Sequence, residues 1–110
     1  MEKSYKDKVF DVIYENRDNL AWVRDESVKY SDYECNIGDL KLRVVSCKNE
    51  KYLQVLQSLT NYSSYNVEEY PKVSEILDSC YKQWQAKVED AFFKDVFYKL
   101  CASIDEFNKR

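Results

Sequence analysis

Apolar positions change their period twice along the chain, from helical to alternating and back, and the changes mark its elements. Ser4-x-x-Asp7 resembles a capping box and opens a run with apolar residues at Tyr5, Val9, Val12 and Ile13. That 4-3-1 spacing on one face predicts a helix over 4–17, ending near Arg17-Asp18-Asn19. Leu20, Trp22 and Arg24 then alternate with Ala21 and Val23, which suits a short strand. From Ser31 a clear period of two places Tyr33, Cys35 and Ile37 opposite Asp32, Glu34 and Asn36. After Gly38-Asp39 it resumes with Leu40, Leu42 and Val44 opposite Lys41 and Arg43, so a glycine-turned hairpin is predicted. Residues 51–59, KYLQVLQSL, fit both periods; Asn49-Glu50 suits a hairpin turn, which favours a further strand.

The next stretch, TNYSSYNVEEYP at 60–71, reads as a loop joining sheet to helix, with Pro71 in the first helical turn. Beyond it the helical period returns. Val73, Ile76, Leu77, Cys80, Trp84 and Val88 mark a stripe, and Phe92, Val96, Leu100, Ile104 and Phe107 continue it at about the same phase. One helix of that length exceeds the usual size, so a bend or a second start is expected near Val88-Glu89-Asp90. The predicted class is α+β: an N-terminal helix, an antiparallel meander of three or four strands, and one long, bent or divided C-terminal helix. A length of 110 residues makes this a single domain, 1–110.

Composition sharpens the picture. One glycine and one proline imply long elements with few tight turns, and 45% apolar residues suffice for a core. The charge is mixed, with 17 basic and 20 acidic side chains for a net −3, and no basic block. Phosphate-backbone binding needs clustered Lys and Arg, so no nucleic-acid partner is expected. The opening MEKSYKDKVF lacks an apolar signal core, and no run of 18 apolar residues exists. A cytoplasmic location without membrane contact is therefore expected.

Chemistry is limited by what is missing. Without histidine, the chain has no Ser-His or Cys-His pair and no histidine-bearing zinc site. A single glycine excludes the glycine-rich phosphate cradles. Cys35, Cys47, Cys80 and Cys101 contain no CxxC, and in an unexported chain they read as reduced, buried small hydrophobes. Glu68-Glu69 suits the dipole of the following helix. No enzyme activity, metal or cofactor is expected.

The order of the pieces resembles a recurring group of small, largely uncharacterised bacterial proteins. The stretches that carry the likeness are LAWV, YECNIGDLKLRVV, KYLQVLQ and PKVSEILDSCYKQWQAKVEDAFF, spanning roughly residues 5 to 104. Such proteins often have Asn-x-x-Gly after the third strand, where this chain has Gln57-Ser58-Leu59-Thr60. The resemblance implies the fold and brings no catalytic residue with it.

The positive signal is aromatic. Ten tyrosines are many for this length, and Tyr62, Ser63, Ser64 and Tyr65 combine large contact area with adaptable hydrogen bonding. Phe92-Phe93 and Phe97-Tyr98 put aromatics on two sides of the last helix, leaving one side for a partner. Tyr62, Ser63, Ser64, Tyr65, Phe93 and Phe97 are thus the candidate partner-binding residues. They suggest an inhibitor, immunity-type or accessory subunit that binds another protein or a second copy of itself. The alternative is a small-molecule sensor holding its ligand under the helix among Tyr33, Tyr52 and Trp84.

Overall fold

A computed structural model describes residues 2–26 and 31–109, apart from the side chains of Ser31 and Phe107. Helix α1 spans Tyr5–Glu15, and the Ser4 hydroxyl caps it by accepting the Asp7 N–H at 3.2 Å. Its inward face differs from the expectation. Tyr5, Val9 and Val12 are exposed, whereas Phe10, Ile13 and half-buried Tyr14 face the core. Those three sit at i, i+3 and i+4, and the two rings bury more apolar area than the valines would.

Five strands follow: β1 Val23–Asp25, β2 Ser31–Ile37, β3 Leu40–Cys47, β4 Glu50–Leu56 and β5 Tyr62–Asn66. They form one antiparallel meander in the order β1-β2-β3-β4-β5. Gly38 turns the β2–β3 hairpin with φ +58, the conformation its missing Cβ permits. Residues 50–56 are a strand, as the turn at Asn49 suggested. The sheet exceeds three or four strands because Tyr62–Asn66, read as a loop, pairs along β4 from Tyr52↔Asn66 to Leu56↔Tyr62.

Register divides the sheet into two faces. Tyr33, Val44, Leu53 and Tyr65 share a row, as do Cys35, Leu42, Val55 and Ser63. This face packs on Phe10 and Ile13 of α1 and on Val73, Ile76 and Cys80 of the second helix, with Trp22 in the same cluster. The opposite face carries the rows Glu34-Arg43-Gln54-Ser64 and Asp32-Val45-Tyr52-Asn66. There the buried Asp32 carboxylate accepts from Arg43 Nε at 3.1 Å and also from its Nη2.

Helix α2 runs unbroken from Val73 to Asn108, 36 residues. Glu89-Asp90 starts no second helix, since nothing between Val73 and Asn108 is Gly or Pro. Pro71 stands just outside it, and its carbonyl accepts the Ser74 N–H at 3.2 Å. At 1.5 Å per residue the helix is about 54 Å long. The molecule measures 75 × 28 × 26 Å with a radius of gyration of 19.2 Å. A compact domain of this length would have about 13 Å. The excess comes from α2, which leaves the body.

Candidate docking helix

The base of α2 is firmly seated. Val73, Ile76 and Cys80 are fully buried, and Leu77 and Trp84 pack partly against the same core. Gln83 clamps the approach to β1: its Nε2 donates to the Leu20 carbonyl at 2.9 Å, and its Oε1 accepts the Trp22 N–H at 3.2 Å. The Arg24 guanidinium lies 4.2 Å from the Trp84 ring centre, and Lys87 Nζ donates to the Trp22 carbonyl at 3.2 Å.

From Val88 to Glu106 no residue is buried, and only Val96 is half-buried. Phe92, Phe93, Phe97, Leu100 and Ile104 all stand in solvent. The rings of this stretch touch sequence neighbours, Phe92 with Phe93 and Phe97 with Tyr98. Neither aromatic side packs on the sheet, which corrects the expectation that one would. The cause is geometric. Ile76, Cys80, Trp84, Val88, Phe92, Val96, Leu100 and Ile104 recur every fourth residue, and four residues overshoot a turn by about 40°. Seven such steps carry the stripe about 280° around the helix, so its two halves are not in phase.

Beyond residue 91 the apolar positions gather again. Phe92, Phe93, Val96, Phe97, Leu100 and Ile104 fall within about 140°, on the side opposite the seat of Val73, Ile76 and Cys80. Lys94, Asp95, Asp105 and Glu106 occupy the other side, and Asp90 borders the apolar one next to Phe97. The distal half is thus an amphipathic helix whose apolar face points away from its own body. Lys99–Asp95, at 2.9 Å across one turn, is an exposed ion pair on this segment and contributes a few tenths of a kcal/mol at most.

The residues proposed for the loop do not form one surface. Tyr65 is core: its ring packs 5.3 Å from Phe10 and 4.9 Å from Tyr70, and its hydroxyl donates to the Lys6 carbonyl at 2.8 Å. Burial pushes its hydroxyl pKa up. Tyr62 is exposed and lies on the opposite face of β5, with Ser64, whose Oγ is 3.4 Å from Gln54 Nε2. Ser63 lies on the helix-bearing face. Alternation along a strand separates these four side chains. Phe93 and Phe97, by contrast, share the bare side of α2. Sequence reasoning placed Phe92, Leu100 and Ile104 on one stripe with Ile76 and Cys80; the four-residue step held the signal that they are out of phase.

The imagined ligand site under the helix is absent in that form. Tyr33 faces the helices and Tyr52 the opposite side, since neighbouring rows alternate faces. A cleft of about 640 Å³ instead opens between α1 and the segment entering α2, lined by Lys3, Asp7, Phe10, Asp11, Tyr70 and Lys72. Its polar groups are engaged with each other: Tyr70 donates to Asp7 Oδ1 at 2.7 Å, and Lys3 to Asp11 Oδ2 at 2.6 Å. The hydrogen bond to Asp7, then desolvation, pushes the Tyr70 pKa up to about 12.

The thiols also separate. All four are free; Cys35 and Cys80 are buried, Cys47 half-buried and Cys101 exposed, so not every cysteine is a core residue. Burial raises the pKa of Cys35 and Cys80, which makes them poor nucleophiles. Among the described residues no cluster of three Cys, Asp or Glu is arranged for a metal ion, and no helix is long and apolar enough to cross a membrane. Comparison with known protein families, with curated proteins and with solved structures returns no match.

Proposed function

We propose that the protein is a non-enzymatic protein-binding module of inhibitor, immunity-type or accessory-subunit kind, and that the projecting half of α2 is its docking element. One observation carries the reading: the helical residues from Val88 to Asn108 leave the body and present Phe92, Phe93, Phe97, Leu100 and Ile104 to solvent on one side. Helices in proteins draw most of their stability from packing an apolar face, and the distal half has no part of its own body to pack against. A partner that covers the face supplies that packing. The helix-in-groove and helix-pairing modes both read such a face through anchors three and four residues apart. The lack of histidine and of phosphate-binding glycines supports binding over catalysis.

Site-specific photo-crosslinking in the cells that make the protein tests this. A benzophenone amino acid at position 97 is expected to trap a protein adduct, and one at position 95, on the polar side, to trap far less. Equal trapping at both positions, or none at 97, contradicts the reading. The cleft beside Tyr70 supports a second one, small-molecule sensing, since its volume lies in the range of ligand sites. Native mass spectrometry of the purified chain that retains a small ligand would favour it.

A further inference from the structure

We infer that the partner of the distal helix is a second copy of the same chain, packed antiparallel along residues 90–107. This rests on the docking reading above and names its occupant. Three features of the segment carry it: area, spacing and charge.

Phe92, Phe93 and Phe97 are 61, 63 and 61% exposed, and Leu100 and Ile104 are 56 and 55% exposed. At about 200 Å² for a full aromatic side chain, these five present about 550 Å² of apolar surface. That is near the upper limit of what a monomer leaves uncovered. Two copies face to face remove about 1,100 Å² of apolar surface, and the flanking polar groups bring the interface into the class of specific, stable contacts. The area is therefore enough for a dimer without any help from the body.

Phe93, Phe97, Leu100 and Ile104 are spaced 4-3-4, the alternation of a coiled-coil seam. The spacing reads the same in both directions, so an antiparallel copy sets Phe93 against Ile104 and Phe97 against Leu100, a large side chain against a smaller one. A two-fold axis repeats each contact. Parallel pairing instead puts Phe97 on Phe97 and, one heptad earlier, Asp90 on Asp90, two carboxylates facing along the seam. Charge does not oppose a second copy. Residues 85–109 hold Lys87, Lys94, Lys99 and Lys109 against Glu89, Asp90, Asp95, Asp105 and Glu106, close to neutral. The apolar side also turns away from the body, so the antiparallel bodies lie at opposite ends of the pair, clear of one another.

Sedimentation of the full chain over a dilution series decides the matter. The wild type is expected to sediment at twice its 13.2 kDa and to fall towards the single-chain mass on dilution. Phe97→Glu and, separately, Ile104→Glu each count twice in the interface and are expected to raise Kd at least about 100-fold, with the near-ultraviolet spectrum of the body unchanged. Tyr98→Glu, on the polar side, keeps the dimer. A chain that stays monomeric at every concentration overturns the inference, and so does a dimer that survives both substitutions. If the monomer nonetheless traps another protein at position 97, the docking reading stands and only the second copy falls. A spin label at Gln85→Cys, with Cys47 and Cys101 changed to Ser, reads the orientation. Antiparallel packing predicts a separation of about 40 Å along the axis, from 1.5 Å per residue; a separation near the about 10 Å helix spacing overturns it.

Discussion

Two truncations in the same helix, Ile76→Ala and Phe97→Ala, should behave in opposite ways. Ile76 is 0% exposed and packs in the central cluster with Val73, Cys80 and the sheet. Removing its side chain loses the transfer energy and leaves a cavity, at a cost of about 2–5 kcal/mol. Taking about 3 kcal/mol, and a shift of about 4–8 °C per kcal/mol for a domain of this size, Tm falls by about 12–24 °C. Phe97 is already mostly solvated, and alanine is the better helix former, so Phe97→Ala should change body stability by less than about 0.5 kcal/mol. Urea unfolding followed by tryptophan emission reports on the body, because Trp22 is in the core and Trp84 at the helix base. The comparison belongs at the lowest measurable concentration, since association adds stability by mass action. A loss above about 1.5 kcal/mol for Phe97→Ala in the monomer would refute the placement of the distal helix outside the core.

Tyr62→Ser should leave urea stability within about 0.5 kcal/mol, because Tyr62 is exposed, whereas Tyr65→Ser should cost about 3–5 kcal/mol by opening the cluster around Phe10; equal effects would contradict their placement on opposite faces of β5. Alkali should unfold the protein early. Tyr70 is raised to about 12 in the fold from 10.0, so its contribution is complete below pH 10 and is lost as pH rises through about 12. Tyr14, Tyr33, Tyr52 and Tyr65 are shifted in the same direction. Tyr70→Phe should therefore flatten part of the alkaline slope in a pH series of melting curves, and an unchanged slope would contradict the Asp7 hydrogen bond. With a chromogenic disulfide reagent, Cys101 should react first and Cys47 more slowly. Cys35 and Cys80 should react only on unfolding, and fast reaction of all four would contradict their burial.

The hairpin of β2 and β3 was legible because alternation and Gly38 agree, each pointing to the same reversal. The final helix was legible in type because its apolar residues recur three and four apart, with no Gly or Pro to break it. Strand β5 was not: Tyr-Ser-Ser-Tyr-Asn has the composition of a loop, and its extension is imposed by pairing with β4, a tertiary cause that local propensity does not carry. Tyr65 followed the same course, turned inward by the register that exposes Tyr62. The candidate site was half legible. Phe93 and Phe97 could be singled out as surplus aromatics, but Phe92, Leu100 and Ile104 read as a continuation of the stripe through Ile76 and Cys80, because a four-residue period seems continuous in sequence while rotating in space. The stripe also says nothing of where the sheet ends. Only the body's width fixes the point near Lys87 at which the helix runs out of surface to cover.

Hydrogen exchange along α2 tests the central claim most directly. In dilute solution the amides of residues 73–84 are expected to be protected to the level of global unfolding, and those of 88–106 to exchange close to the free-helix rate. As the concentration rises, protection of the distal amides should rise with it. Distal amides as protected as those around Ile76 and Cys80 at every dilution would contradict the account, because the helix would then be held by its own body.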